Sequence, residues 1–414
     1  MRELVVKHQN YAWGSRGDSA VRALSRANAL RHAVATSDDD AVPYAELWCG
    51  DHPSGMSSVA PDAHTTGMTL KEYVESDPLR VFGAKSLATF GPSTPFLLKV
   101  LSVSKALSVQ AHPDKALAQR LHQRDPENYR DDNHKPEMCV AVGAFEGLCG
   151  FVRAKELAGR LSRTPELVDV VGADESAAFI HVVEREREHV ECDVRMAYKR
   201  FFTALMLAES DVVTKCTRAL RERLLATTTE TLRDEERVFL TLIEQYPDDV
   251  GALCAFVLNH VVLENGQALA LAANEPHAYI RGECVEVMAT SDNVVRAGLT
   301  PKFRDVRVLC DMLTYVHGEA AILHPISVDE CSSRYVTPYE EFALDVVRVS
   351  PGSSHRPPAR DGVSIWIVFA GVGEINGVRC APGAVLFFTH RECVDIVVSD
   401  VDEDFICYAA SANI

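Results

Sequence analysis

No Cys-x-x-Cys pair occurs in this chain of 414 residues, although it carries twelve cysteines, scattered rather than closely spaced. That excludes a zinc ribbon and a thioredoxin-type redox motif. Without a secretory segment, it predicts reduced thiols filling core positions. A long hydrophobic run is missing too: the longest, residues 252–263, is broken by Asn259 and His260 and is too short to cross a bilayer. Met1-Arg2-Glu3-Leu4 leads into a strand-like segment with no apolar stretch suited to a signal peptide, and the final Ser-Ala-Asn-Ile is not a peroxisomal address. The expected location is the cytoplasm. Positive charge is also in deficit, with 42 Lys and Arg against 59 Asp and Glu and a formal net charge of −17. This balance argues against nucleic-acid and anionic-membrane partners, yet a few clustered cations suffice to hold a small anionic substrate.

What is present is ordinary globular composition, 47% apolar and 24% charged, over a length that predicts two or three domains. Residues 1–60 read as strands and loops anchored by Tyr11, Trp13 and Trp48, with a surface helix over 19–35 and a solvated loop at Asp38-Asp39-Asp40. Residues 95–101 read as a buried strand in which Lys99 must snorkel or meet an anion. A helix over 113–124 and a strand over 138–142 follow.

From about residue 153 to 263 the pattern turns helical. Val213, Cys216, Leu220 and Leu224 share a face after a Ser210 cap, and Val238, Leu242 and Gln245 share another. A further apolar helix is expected from Val250. Met196, Phe201, Phe202 and Met206 read as core, and Arg185-Glu186-Arg187-Glu188 as an outer face. Alternation returns at Leu269, Leu271 and Ala273 and at residues 284–289, where Glu286 opposes Val285 and Val287. Near the C-terminus Ile365, Ile367 and Phe369 alternate, Asn376-Gly377 marks a hairpin, residues 382–388 read as a strand, and His390 reads as solvent-exposed.

The chemistry gathers around residues 107–115. Leu107, Val109 and Ala111 fall on one strand face, and Ser108, Gln110 and His112 on the other. A hydroxyl, an amide and an imidazole side by side are costly to bury without partners, and a metal is one such partner. His134-Lys135-Pro136-Glu137 offers a carboxylate and Glu275-Pro276-His277-Ala278-Tyr279 a second imidazole. Gln110, His112, Glu137 and His277 together make a mixed nitrogen and oxygen set suited to zinc or another first-row divalent ion.

The wording of these stretches resembles the type I phosphomannose isomerases. Gln110 to Lys115 (Gln-Ala-His-Pro-Asp-Lys), His-Lys-Pro-Glu and Glu-Pro-His-Ala-Tyr carry the resemblance, with Ser-Asp-Asn-Val-Val-Arg-Ala-Gly-Leu-Thr-Pro-Lys ending at Lys302. Tyr11-Ala12-Trp13-Gly14, Ala45-Glu46-Leu47-Trp48 and His52-Pro53-Ser54-Gly55 extend it towards the N-terminus, and it spans about residues 5–315.

The resemblance implies a mainly β fold with a helical insertion. A catalytic cupin-type (jelly-roll) barrel is expected from residues 1–152 and 264–318, an all-helical domain from 153–263, and a metal-free cupin-like barrel from 319–414. It implies a monomeric isomerase with one zinc ion per catalytic domain, interconverting mannose 6-phosphate and fructose 6-phosphate through an enediolate and supplying GDP-mannose and glycan synthesis. Zinc would be held by Gln110, His112, Glu137 and His277 with a position left open. Arg296, Glu286, Lys135 and Tyr279 are the candidates for catalysis, and which of them, or a metal-bound water, moves the proton stays open. Ser108, Lys99, Lys302 and Asp292 are the candidates for holding the sugar phosphate, with a purely structural hydroxyl as the lesser alternative for Ser108. Glu275 and Asp292 could orient His277 and Arg296. Two rivals stand beside this reading. One is an iron oxygenase using His112, His277 and Glu137, in which Gln110 would fill a position oxygen needs. The other is a non-catalytic sugar-phosphate-binding cupin.

Overall fold

Strict alternation builds the central sheet of the computed structural model, which describes residues 1–35, 41–61, 67–185, 191–400 and 403–414. Along Phe96–Val103, Leu98 and Val100 join one hydrophobic cluster while Lys99 and Leu101 face the other way. Val285 and Val287 oppose Glu286 on His277–Ala289, and Met138 and Val140 oppose Glu137 and Cys139 on Glu137–Phe151. Leu47 likewise opposes Glu46 and Trp48 on Glu46–Cys49. One face is apolar, and the other carries a lysine and three carboxylates.

These strands form a ten-stranded antiparallel sheet. Its apolar face meets an eight-stranded sheet across a common cluster that includes Leu98, Val100, Val285, Leu344, Ile365 and Phe387. A four-stranded sheet (Ser354–His355, Ile396–Val397, Gly373–Ile375, Val378–Cys380) completes the β structure, with the expected hairpin at Asn376 (φ 50°) and Gly377 (φ 75°). Two cupin-type (jelly-roll) barrels were expected; among the described residues the strands form two large sheets and no ring of strands closes. Both large sheets end on strands of two or three residues, too short to carry a ladder round, and their apolar faces are covered by each other instead. The eight-stranded sheet also borrows Arg2–Val5, which pairs with Val385–Phe388, so the two ends of the chain share one layer.

The helical block runs from Ala154–Leu161 to Asp234–Gln245. Leu258–Leu263, read from sequence as part of the helical block, is a strand on the edge of Glu137–Phe151. Its partial apolar pattern fits either period, and the ladder decides. The segment from Val250 is a 3-10 helix, and Ser210 begins its helix inside the first turn, with Glu209 before it and no side-chain cap. Phe201, Phe202 and Met206 are core as expected, whereas Met196 is 57% exposed. His390 is half-buried against Gly83 and accepts from the Gly362 N–H at 3.2 Å. Helix Ala20–Arg31 stands where a surface helix was expected. Asp38-Asp39-Asp40 and Glu186-Arg187-Glu188 lie outside the described residues. Among the described residues no helix is long and apolar enough to cross a membrane.

The long His277–Ala289 strand bends at register shifts around Tyr279 to Glu283. At the bend Gly282 has φ +114°, and a Cβ there would lie 2.5 Å from the Ala144 carbonyl oxygen. The bend sends His277 towards Gln110 and leaves Glu286 opposite Lys99. Gly282→Ala is therefore expected to cost about 2 kcal/mol and lower the thermal midpoint. A wild-type midpoint would show that the bend tolerates a side chain.

Candidate active site

Cross-strand register brings distant segments together. Gln110, on Val109–Ala111, pairs with His277 on one side and with Arg296 of Val295–Gly298 on the other. Glu137, first in its strand, stands opposite Met288. The ligand atoms of His112, Glu137 and His277 all lie within 4.8 Å of one another. His112 Nε2 is 3.1 Å and His277 Nε2 3.8 Å from Glu137 Oε2.

Backbone carbonyls orient both rings. His112 Nδ1 donates to Asn293 O at 2.8 Å, and His277 Nδ1 donates to Glu275 O at 3.1 Å. With those protons on Nδ1, each Nε2 presents a lone pair to the carboxylate, and both Nε2 atoms are buried without a hydrogen-bond partner. Burial, reinforced by His112, lowers the His277 pKa to about 3. Burial alone would raise Glu137, but the cationic forms of His112 and His277 and the Lys135 ammonium at 3.0 Å outweigh it and hold the carboxyl well below its usual range. Neutral imidazoles and an ionised carboxylate are the forms that bind metal. The donors fit a divalent ion.

Above this trio lies a cavity of about 310 Å³. Every residue predicted for the site lines it except His112 and His277, which are buried beneath. Lys99 meets its anions: Nζ lies 3.1 Å from Glu286 and 3.4 Å from Glu46, and 5.0 Å over the Trp48 ring. Burial opposes its charge, yet Glu46 and Glu286 prevail and raise its pKa. Burial raises Glu286, with Lys99 opposing and Glu137 and Glu46 assisting. Tyr279 donates to the other Glu286 oxygen at 2.9 Å. Lys135 is engaged by Glu137 at 3.0 Å. Ser108 donates to the Gln110 amide oxygen at 3.1 Å.

Arg296 and Lys302 differ from these lysines. Among the described residues neither forms an ion pair, and Lys302 stands 4.9 Å over the Tyr11 ring. Burial lowers the pKa of both. Asp292 faces His52 at 3.5 Å, and the Glu275 carboxylate binds Thr314, so it is the Glu275 backbone that orients His277. Sequence reasoning passed over Glu46, although its alternation with Leu47 places it beside Trp48. It also missed Lys105 and Tyr246, which meet at 4.0 Å on the cavity wall. Tyr246 comes from the helical block and donates to Ala106 O at 2.7 Å, a contact with no local signature.

A neutral amide oxygen is a weaker zinc ligand than imidazole. Gln110→Ala is thus expected to lose metal affinity more mildly than His112→Ala. Equal zinc occupancy in Gln110→Ala and the parent, by elemental analysis, would show that Gln110 is not a ligand.

Comparison with known proteins identifies the family. Residues 1–154 match the family described as phosphomannose isomerase type I, catalytic domain, and residues 170–258 match its helical insertion domain. Mannose-6-phosphate isomerase 2 of Arabidopsis thaliana is 44% identical over 95% of this chain and 88% of its own. Mannose-6-phosphate isomerase of Saccharomyces cerevisiae is 38% identical over 97% and 96%. A crystal structure of a phosphomannose isomerase variant from Salmonella typhimurium superposes with a TM-score of 0.82 at 25% identity, covering 100% of both chains. A zinc-bound mannose 6-phosphate isomerase structure covers 100% of this chain and 99% of its own, with a TM-score of 0.79 at 24% identity. With two family domains matched in order and relatives aligned over nearly the whole length, the chain belongs to the type I phosphomannose isomerases.

Proposed function

We propose that this chain interconverts mannose 6-phosphate and fructose 6-phosphate with one zinc ion per catalytic unit. The observation that carries the reading is a cavity lined by Glu137 and by two cations without an ion pair among the described residues, Arg296 and Lys302, with two orphaned imidazole nitrogens buried beneath it beside Glu137. The catalytic unit comprises residues 1–152 and 264–318, with Leu258–Leu263 of the helical segment (153–263) completing its sheet, and 319–414 form the C-terminal unit. A zinc ion held by Gln110, His112, Glu137 and His277 would act as a Lewis acid on the sugar oxygens.

The chain's own groups supply the rest. Glu286, raised by burial and held between Lys99 and Tyr279, moves the proton between C1 and C2. Arg296 and Lys135 face the charge that builds on the sugar oxygens. Lys302 and Ser108 hold the phosphate, with Asp292 fixing the sugar. Lys99 lines the same space but is engaged by two carboxylates. We take the enzyme to be cytoplasmic, in keeping with the free thiols of the described residues, and propose that it acts as a monomer and supplies mannose 6-phosphate for GDP-mannose and glycan synthesis.

Purified protein incubated with mannose 6-phosphate should accumulate fructose 6-phosphate, measured by an enzyme-coupled assay. Calorimetric binding of mannose 6-phosphate without turnover would replace this reading with a non-catalytic binder.

A further inference from the structure

Asp131 lies in the irregular segment between the Lys115–Arg124 helix and the Glu137–Phe151 strand. It does not line the cavity and supplies no atom to the metal trio. Yet its carboxylate is filled from one neighbouring loop and its own turn. Oδ1 accepts from Ser291 Oγ at 2.8 Å, Asn293 Nδ2 at 3.1 Å and Asn133 N at 2.9 Å. Oδ2 accepts from Asp292 N at 2.7 Å, and the Asp131 carbonyl accepts from Asn293 Nδ2 at 2.8 Å.

That loop joins the strands His277–Ala289 and Val295–Gly298 without a ladder of its own, so its polar groups need partners elsewhere. Bonds to a carboxylate are roughly twice as strong as neutral ones. Asn293, fully buried, passes the restraint on, since its backbone carbonyl is the acceptor for His112 Nδ1. If that carbonyl swung away, the His112 proton would be free to move to Nε2, and a protonated Nε2 cannot bind a metal.

We infer that Asp131 is a positioning residue for the metal centre: through Asn293 it fixes the His112 tautomer, and through Ser291 and Asp292 it fixes the adjoining cavity wall. The inference rests on the metal-centre reading above, and its test is on metal binding rather than turnover. Zinc affinity is measured by chelator competition on the full chain, with nitrogen-15 NMR of the His112 ring in the metal-free protein. Asp131→Ala is expected to weaken zinc binding roughly ten- to a hundredfold and to give a mixed His112 tautomer. Asp131→Asn, which keeps the size and presents an N–H to one former donor, should fall between. It serves as the test if the alanine variant does not fold. A folded variant with parental zinc affinity, or with His112 still protonated only on Nδ1, overturns the inference and leaves the metal centre standing. A parent chain that binds no zinc overturns both.

Discussion

Removing the metal with a chelator is expected to abolish isomerisation of mannose 6-phosphate while far-UV circular dichroism stays almost unchanged, and zinc add-back should restore turnover. Loss of Lewis-acid stabilisation of about 4 kcal/mol corresponds to roughly a thousandfold in rate. The fold has no comparable stake in the ion. The largest clusters include Val100, Val285 and Phe387 between the two sheets and Phe201, Leu220 and Phe239 in the helical block, and none of the four proposed ligands belongs to them. Small zinc domains unfold without metal because they lack such cores. Full activity in metal-free protein, verified by elemental analysis, would sink the zinc mechanism.

Arg296→Ala is expected to lower kcat by on the order of a hundredfold or more while zinc content stays normal. Arg296 pairs in register with the proposed ligand Gln110 and lines the same cavity, and a guanidinium has no lone pair to offer a metal. Burial lowers its pKa, but guanidinium starts so high that it stays charged. A grip on the phosphate alone would be uniform along the reaction, and its loss would raise KM with kcat intact. A cation facing oxygens that gain charge in the transition state acts on kcat. Lys302, over the Tyr11 ring, is the proposed phosphate contact. A steady-state assay giving parental kcat, or a variant that arrives without zinc, would refute the assignment.

Two jelly-roll barrels and two sheets packed on each other are hard to tell apart from sequence, for a physical reason. Alternation reports which side of a strand is buried, and a sheet covered by another sheet alternates as a barrel wall does. Leu98, Val100, Val285 and Val287 would look the same in either. Closure depends on the edge strands, and those that end the main run of each large sheet are two or three residues long, below what a pattern reveals.

The sequence by itself determined the face each strand residue takes. Lys99, Glu137 and Glu286 fall opposite their apolar neighbours because Cβ direction alternates with a period of two, a purely local rule. It also determined the chemical kind of the site, since Gln110, His112, Glu137 and His277 were recognisable within short motifs. Tertiary structure alone decided the company they keep. Lys99 met both Glu286 and Glu46, His112 found its acceptor in Asn293 at a separation of 181 residues, and Tyr246 reached the cavity from another layer. Such pairings follow from long-range strand register and from the need to satisfy buried polar groups. Neither leaves a trace in the spacing of residues along the chain.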